Sequence, residues 1–189
     1  MITSNPIPVD IKDVIVVGNV SENPSAMDTA HFFGQREDVS DVISLKSFEN
    51  SEFCPRFINE TGKENKVGHD LEGMAVVIGS SSTMTLSRNE IAMRNLLVAR
   101  AAKDNGAAWV VLAEPDLFFS AQDRGPRPEQ GMLSKGRADS DLDKFNGQAF
   151  SALLYAELLK NAGVDEVMTI HNHSVSVKRV FNDIFDGHF

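Results

Sequence analysis

The segment SAQDRGPRPE, residues 120–129, carries side chains that suit the binding of phosphate groups. It places Gln122, Asp123, Arg124 and Arg127 in a loop that two prolines stiffen. The planar guanidinium group of arginine matches phosphate oxygens, and proline reduces the entropy that a loop loses when it becomes ordered. A solvated loop with an Asp–Arg ion pair would have the same composition, so these residues alone leave both interpretations open.

Two histidines, His171 and His173, form a second group that could do chemistry, in the segment HNHS. In an extended chain, residues i and i+2 point to the same face, so both imidazoles can reach one ligand or metal ion. A zinc site would need further His, Cys or carboxylate ligands close by, and none is evident in the sequence. A structural or surface role for the pair stays as open as a catalytic one.

A serine-rich segment, GSSST at residues 79–83, follows an apolar run and precedes a helical pattern. Serine hydroxyls and backbone N–H groups at a helix start suit an anionic oxygen, but a turn that caps a helix has the same composition, and we favour the turn. Neither a Walker A sequence nor G-x-G-x-x-G occurs, although TGKEN contains a Gly-Lys pair. A nucleotide site in this chain would therefore use a different arrangement of residues.

The elements that position these segments are apolar runs that alternate with helical patterns. The predicted strands are residues 14–18, 41–45, 74–79, 108–113 and 166–170, and the predicted helices are 25–34, 85–106, 147–163 and one that begins at 176. Strands and helices that alternate in this way form βαβ units, so the predicted fold class is α/β, with a mostly parallel sheet flanked by helices. Ligands bind at the carboxyl ends of the strands in such sheets, and all three segments follow strands.

Two of the helices have further predicted features. Ser87 and Glu90 form an S-x-x-E capping box at the start of the helix over residues 85–106. The next helix is predicted to turn three large side chains toward the core, those of Phe150, Leu153 and Leu154. The remaining polar stretches are predicted to be a hairpin or loop over residues 50–70 and a mobile surface loop over residues 131–147.

The composition is that of an ordinary globular protein, and it limits the expected partners. With 189 residues, 42% apolar and 24% charged, the chain suits a single α/β domain over residues 1–189. Cys54 is the only cysteine, which excludes an intrachain disulfide and indicates a reducing, cytoplasmic compartment. The formal net charge of -9 argues against nucleic acid as a partner. No apolar run is long enough to cross a bilayer, so no membrane partner is expected.

Several motifs in the same order resemble the N-terminal half of ribose-phosphate diphosphokinases (phosphoribosyl diphosphate synthetases). The segment EPDLFFSAQDRGPRPE resembles the family's I-P-Y-x-x-Y-A-R-Q-D-R-x-x-R-P, with matches at Pro115, Gln122, Asp123, Arg124, Arg127 and Pro128. The segment NAGVDEVMTIHNHS is similar to A-G-A-D-x-V-L-T-M-D-L-H-A, VVGNVSENP to A-G-N-A-N-P, and SFENSEF to F-S-D-G-E. The resemblance runs from about Val14 to Phe185, which is nearly the whole chain.

This resemblance implies a phosphoribosyltransferase-like fold. It also implies transfer of the β,γ-diphosphate of ATP to the C1 hydroxyl of ribose 5-phosphate, which gives phosphoribosyl diphosphate and AMP, with Mg²⁺. By position, it implies that ATP is bound by Phe48, Asn50, Glu52, Gln122, Asp123 and Arg124. The first three would contact adenine across a subunit interface, in a homo-oligomer. His173 would be the catalytic residue and the one that approaches the Mg²⁺–triphosphate.

The sequence departs from the family pattern at three of these positions. Ala121 stands where the family has an ATP-binding arginine, Asn50 replaces the aspartate of F-S-D-G-E, and His171 replaces the aspartate of D-L-H. The acidic D-D-x-x-x-T-G-G-T loop that grips ribose 5-phosphate and the basic catalytic flap do not occur in these 189 residues. The family's C-terminal half is thus absent from this sequence, and we expect the isolated chain to be inactive.

The sequence is therefore compatible with three functions. The first is the N-terminal domain of a ribose-phosphate diphosphokinase, and the second is a non-catalytic regulatory relative of that family, which the departures at Ala121 and Asn50 suggest. The third is a metal-dependent hydrolase built on His171 and His173. Because the sequence stops at Phe189 within an apolar-rich segment, we expect the natural polypeptide to continue.

Overall fold

The structure, a computed structural model, describes residues 13–35, 39–58, 71–131 and 136–189. In chain order its helices and strands are β1 (Val14–Gly18), α1 (Pro24–Phe32), α2 (Val39–Val42), β2 (Ile43–Ser47), β3 (Phe53–Phe57), β4 (Ala75–Gly79), α3 (Arg88–Asp104), β5 (Trp109–Ala113), α4 (Asp139–Lys144), α5 (Ser151–Ala162), β6 (Glu166–Met168) and α6 (Val175–Ile184). No helix within the described residues is both long and apolar enough to cross a membrane.

Four strands form a parallel sheet in the order β1-β4-β5-β6. Val16 of β1 pairs with Val77 of β4, which in turn pairs with Val111 of β5. The strands β1, β4 and β5 are continuous apolar runs because helices cover both faces of the sheet there, whereas β6 is a short strand in which only Val167 is buried. The predicted α/β class, with a mostly parallel sheet flanked by helices, is therefore confirmed.

Alternate residues of the strands divide the core between the two faces of the sheet. Val16, Val77 and Val111 pack with Ala26 of α1 on one face. The strand residues on either side of them join α3, α5 and α6 in a larger core on the other face, namely Ile15, Val17, Val76, Ile78, Val110 and Leu112. Helix α1 crosses the end of β4 so closely that a Cβ atom on Gly79 would lie 2.6 Å from that of Ala26. Only glycine fits at this position without displacing the helix.

The strands β2 and β3 form a separate antiparallel hairpin, outside the parallel sheet. The strand predicted over residues 41–45 begins only at Ile43, because the short helix α2 occupies the preceding residues. The interpretation of residues 50–70 as a hairpin or loop is confirmed for β3, while residues 59–70 lie outside the described residues. The guanidinium carbon of Arg94 in α3 lies 4.3 Å from the centroid of the Phe53 ring, a contact that attaches the hairpin to α3.

The predicted capping box at the start of α3 is confirmed. The Ser87 hydroxyl accepts a hydrogen bond of 3.2 Å from the backbone N–H of Glu90, whose carboxylate accepts one of 2.7 Å from the backbone N–H of Ser87. The hydrogen bonds from Ser87 hold the pKa of the Glu90 carboxyl below its ordinary value. The first turn of α3 is thereby fixed close to the edge of the sheet where β4 ends.

Helix α5 differs from its prediction in start and in buried face. It begins at Ser151 and not at residue 147, where Gly147 has a left-handed conformation with a φ of 77°. Phe150 packs against the core as predicted, but Leu153 is only half-buried and Leu154 is 52% exposed. The buried stripe is instead Ala152, Tyr155, Ala156 and Leu159. The two alanines leave room for the tyrosine, whose hydroxyl finds buried hydrogen-bond partners.

Residues 136–147, predicted as part of a mobile surface loop, contain the short helix α4 and a buried arginine. The side chain of Arg137 is 3% exposed and its Nε donates a hydrogen bond of 2.7 Å to the Asp141 carboxylate. The same guanidinium donates to the carbonyl oxygens of Gly125 and Gln130 at 2.5 and 2.6 Å. The hydrogen bond from Arg137 holds the pKa of Asp141 below its ordinary value. The prediction of a loop is thus wrong for Asp139–Lys144, and residues 132–135 lie outside the described residues.

Candidate functional site

The chain segments that leave β5 and β6 run side by side beyond the carboxyl ends of these strands. The backbone of Asp116 forms an isolated parallel bridge with that of His171. The carbonyl oxygen of Pro115 accepts a hydrogen bond of 2.9 Å from the N–H of His171, whose own carbonyl oxygen accepts one of 3.2 Å from Leu117. These bonds extend the sheet by a residue or two, so side chains from both segments meet at its edge.

A second connection between the two segments lies at Asp123, which is 6% exposed. Its carboxylate accepts a hydrogen bond of 2.5 Å from the Ser174 hydroxyl, and its backbone carbonyl accepts one of 2.9 Å from the Ser176 hydroxyl. The Ser174 hydroxyl also accepts a hydrogen bond from the N–H of Val177 at 3.3 Å and so caps α6. Asp123 therefore positions α6, and its carboxylate is directed away from solvent.

Between these two connections lies a cavity of about 380 Å³. Its volume is in the range of pockets that hold small molecules, about 300–1,000 Å³. Side chains from both segments and from the start of α3 line it, among them Arg88, Asp116, Ala121, Gln122, His171 and His173. The predicted juxtaposition of the residues around Gln122 with those around His173 is thus observed.

The charged groups of the cavity form one connected set. Arg88 forms an ion pair with Asp116 and lies over the ring of Phe118, 5.1 Å from its centroid. The other oxygen of the Asp116 carboxylate lies 3.7 Å from Nδ1 of His171. Arg88 is the first residue of α3, whose N-terminal end carries a partial positive charge. The Asp116 carboxylate offsets the charge of Arg88, so this side of the cavity offers an anionic ligand mainly the N–H donors of Arg88 and of the first turn of α3.

Arg88 was not among the predicted site residues. The signal that could have identified it is its place in the sequence, directly after the capping serine of a helix that follows the carboxyl end of β4. In an α/β sheet such a position faces the ligand edge.

The predicted ligand-binding role of Arg124 has a competing explanation in its contacts. The guanidinium of Arg124 pairs with Asp141 at 3.1 Å and lies 4.6 Å from the centroid of the Phe145 ring. It does not line the cavity of Gln122 and His173. Of the three neighbouring residues predicted to bind ATP, the structure places only Gln122 at the cavity, because Asp123 faces α6 and Arg124 faces α4.

Phe48, Asn50 and Glu52 lie elsewhere, at the turn of the β2–β3 hairpin. The N–H of Phe48 donates a hydrogen bond of 2.8 Å to the carbonyl oxygen of Glu52, and the side chain of Asn50 accepts one of 3.2 Å from the N–H of Glu52. Phe48 is 47% exposed, and it lines a shallow depression on the hairpin together with Lys46 and Asn50. None of these hairpin residues lines the cavity of Gln122 and His173.

A buried carboxyl group beneath the cavity was missed by the sequence analysis. Glu114, at the carboxyl end of β5, has no exposed surface. Its Oε1 accepts hydrogen bonds from Ser80 at 3.0 Å, Asn95 at 2.9 Å and Tyr155 at 3.1 Å, and its Oε2 accepts one of 3.0 Å from the N–H of Phe118. Burial raises the pKa of Glu114 to about 7, although these hydrogen bonds act in the opposite direction. Burial, followed by the charge of Glu114, also raises the pKa of Tyr155.

The buried polar network continues through the ends of β4 and β1. The Asn19 amide donates hydrogen bonds to Ser80 at 3.1 Å and to Asn95 at 2.8 Å, and the Asn23 amide donates one of 3.0 Å to Asn19. Ser81 donates one of 3.1 Å to Asn23, the residue that caps α1. The serine-rich segment after β4 therefore serves structural hydrogen bonds, as favoured from the sequence, but the following helix α3 is capped by Ser87 and not by this segment.

A metal site built from protein side chains is not evident in the part of the chain that the structure describes. Within residues 13–35, 39–58, 71–131 and 136–189, no group of three or more His, Cys, Asp or Glu side chains could hold a metal ion. Cys54, on β3, is exposed and free.

The fold is similar to that of a known enzyme. The crystal structure of phosphoribosylpyrophosphate synthetase from Mycobacterium smegmatis matches the chain with a TM-score of 0.65 and 19% sequence identity, over 89% of this chain and 46% of that chain. This chain thus spans about half the length of that structure. No protein-family model matches the sequence, and no curated protein sequence matches it either. At this identity the likeness shows a phosphoribosyltransferase-like α/β fold.

Proposed function

We propose that the cavity between Gln122 and His173 binds the triphosphate of ATP. On this proposal the chain is the nucleotide-binding half of a ribose-phosphate diphosphokinase. The complete enzyme would transfer the β,γ-diphosphate of ATP to ribose 5-phosphate and release AMP. The observation that supports the proposal best is the cavity itself, where both sequence segments that resemble the family meet beside Arg88 and the N-terminal end of α3.

The physical argument concerns charge. Diphosphate transfer depends on positioning and on neutralising the charge of the phosphates rather than on covalent chemistry by the protein. Arg88 and the backbone N–H groups at the start of α3 would face the phosphate oxygens, and the amide of Gln122 would donate a hydrogen bond from the opposite wall. Asp116 would keep Arg88 oriented, since the two side chains form an ion pair.

On this proposal, Mg²⁺ enters the cavity already bound to the phosphates of the nucleotide. Magnesium prefers oxygen ligands and keeps several water molecules, so phosphates and water would supply most of its ligands. His173 would approach the Mg²⁺–triphosphate through one of the water molecules that the ion keeps, since an imidazole nitrogen is a poor direct ligand for Mg²⁺. When bound, Mg²⁺ would neutralise part of the phosphate charge.

The hairpin residues fit the proposal only if a second copy of the chain takes part. Phe48, Asn50 and Glu52 do not line the cavity, so their contact with adenine would require the hairpin of another subunit. We therefore include a homo-oligomer in the proposal. Ribose 5-phosphate would bind to a C-terminal half like that of the family, because these 189 residues contain neither the acidic loop nor the basic flap.

Isothermal titration of Mg²⁺–ATP tests this function. We expect Gln122→Ala and His173→Ala each to weaken binding by about tenfold, because each removes a polar contact to the phosphates or their metal ion. Gln148→Ala and His31→Ala are matched controls, since both residues are exposed and neither lines the cavity. Binding that is equal in all five proteins, or absent from the wild type, would refute the proposal.

A second function, that of a non-catalytic regulatory subunit, is favoured by one observation. The methyl group of Ala121 lines the cavity at the position where the family has an arginine. The neighbouring Arg124 is already engaged by Asp141 and Phe145 and does not replace the missing charge. Under this alternative the chain binds ATP, and a complex of the chain with a C-terminal half from the family still forms no phosphoribosyl diphosphate.

A further inference from the structure

Glu114 is the only described carboxylate that is fully buried, and it lies directly beneath the cavity. Burial of a carboxyl group is unfavourable unless its oxygens are hydrogen-bonded, and here both oxygens are. The oxygen Oε1 is held by three side chains from the rigid part of the molecule, Ser80 after β4, Asn95 of α3 and Tyr155 of α5. The other oxygen, Oε2, is therefore fixed in space, and it accepts the N–H of Phe118 at 3.0 Å.

Phe118 belongs to the loop that forms one wall of the cavity. The next residue, Phe119, has a φ of 58°, a left-handed conformation that is unfavourable for an aromatic side chain. The centroid of its ring lies 5.2 Å from that of Tyr155, and its carbonyl oxygen accepts a hydrogen bond of 2.9 Å from the N–H of Gln122. Glu114 and Tyr155 thus hold, from below, the strained turn that ends at Gln122.

We propose that Glu114 is a positioning residue of the cavity, which fixes the loop through Phe118 so that Gln122 faces the ligand. The identity of that ligand as Mg²⁺–ATP rests on the proposed function, but the fixing of the loop does not. Glu114 itself does not line the cavity, so it acts only through the loop.

The surroundings of Glu114 make this contact sensitive to protons. Three of its four hydrogen-bond partners are neutral groups, namely Ser80, Asn95 and the N–H of Phe118. The fourth is Tyr155 of α5, which is the one other titratable group among these partners. Burial raises the pKa of Glu114 to about 7, so the carboxyl group changes charge near neutral pH. An ionised acceptor forms the stronger hydrogen bond with an N–H group, so the loop is held more firmly above this pH.

The test compares two substitutions at Glu114. Glu114→Leu fills the space but removes the acceptor for Phe118, and we expect the protection of the Phe118 amide against hydrogen exchange and the affinity for Mg²⁺–ATP each to fall by about tenfold. Glu114→Gln keeps an acceptor, and we expect affinity within about threefold of the wild type. The wild type should show a Phe118 amide resonance that titrates near pH 7, and neither variant at Glu114 should show it. Glu157→Gln, an exposed residue on α5, is the matched control.

Tyr155→Phe is a milder second variant, needed in case Glu114→Leu does not fold. It removes one hydroxyl and keeps the ring that contacts Phe119. We expect it to lower the protection of Phe118 by a smaller factor than Glu114→Leu. Unchanged protection of Phe118 in Glu114→Leu overturns the proposal, and so does reduced protection with unchanged affinity. If the wild type does not bind Mg²⁺–ATP, the proposed function fails, and the exchange of the Phe118 and Gln122 amides alone decides whether Glu114 holds the loop.

Discussion

The carboxylate of Asp123 accepts a hydrogen bond of 2.5 Å from the hydroxyl of Ser174. Asp123 lies in the segment that follows β5, and Ser174 caps the helix that follows β6. The bond joins residues that are far apart in the sequence, and the cavity lies between it and the backbone bridge of Asp116 with His171. The resemblance to a nucleotide-binding family assigns Asp123 to the ligand, whereas its contacts indicate a role in joining the two segments.

Removal of the Asp123 carboxylate should lower stability and leave ligand binding nearly unchanged. We expect Asp123→Ala to reduce the free energy of unfolding by about 1–3 kcal/mol, because the hydrogen bond between the buried carboxylate and the partly buried Ser174 hydroxyl is lost. Ser174→Ala should cost about 1 kcal/mol through the loss of the helix cap. Urea unfolding of both single variants and the double variant gives the coupling energy, which we expect to be about 1 kcal/mol. Strictly additive effects would contradict a direct interaction, and Asp123→Asn should bind Mg²⁺–ATP within about twofold of wild type.

Arg137 should control how firmly residues 125–131 are held. Arg137→Met keeps the aliphatic stem but leaves the carbonyl oxygens of Gly125 and Gln130 without their donor. We expect limited proteolysis within this segment to become about tenfold faster, because local opening costs less free energy. Arg127→Met, an exposed arginine of the same loop, is the control and should be cleaved at the wild-type rate. Equal cleavage of both variants would show that Arg137 does not hold the segment.

The buried carboxyl of Glu114 should make stability fall as the pH rises. Its pKa is 4.5 in the unfolded chain and about 7 in the folded protein, so between these values only the folded state retains the proton. The folded state then binds more protons than the unfolded state. The contribution of Glu114 to the free energy of unfolding is therefore complete at low pH and is lost as the pH rises toward 7. We expect the free energy of unfolding of the wild type, relative to that of Glu114→Gln, to decrease by about 3 kcal/mol from about pH 5 to pH 8.

Urea unfolding across that pH range measures this difference. Subtracting the Glu114→Gln values removes the titration of other groups, because all other carboxyls are shared by the two proteins. A difference that stays constant with pH would show that Glu114 ionises in the folded protein as it does in water, and one that grows as the pH rises would show that folding lowers its pKa.

Restoring an arginine at position 121 should strengthen nucleotide binding. Ala121 lines the cavity, so the guanidinium group of Ala121→Arg would meet the phosphates directly. We expect the affinity for Mg²⁺–ATP to rise by about tenfold, as for a charge-assisted bidentate contact, and to rise less for Ala121→Lys. Ala138→Arg, at an exposed residue that does not line the cavity, controls for the change in net charge. An equal gain in both arginine variants would point to unspecific attraction.

The parallel sheet could be predicted from the sequence because three of its four strands, β1, β4 and β5, are apolar runs. The run VIVVG and the capping box of Ser87 and Glu90 depend only on neighbouring residues, and both elements are found where they were predicted. The meeting of Gln122 and His173 followed from the same reasoning, since both segments leave the carboxyl ends of sheet strands.

The features that were missed depend on partners distant in the chain. Glu114 follows an apolar strand and carries no local sign that Asn95 and Tyr155 will enclose it. Arg137 lies in a polar stretch, and only the folded structure brings the carbonyl oxygens that surround it. The burial of Tyr155 in place of Leu154 has the same origin, because hydrophobicity alone favours the leucine.

The left-handed backbone of Phe119 makes the shape of the cavity wall depend on the packing of α5. Such a turn is disfavoured in an isolated segment, so it becomes the preferred conformation only after α5 has brought Tyr155 against the Phe119 ring. A state in which α5 is undocked would lack the contact that favours this turn. The packing of α5 and the shape of this cavity wall are therefore established together.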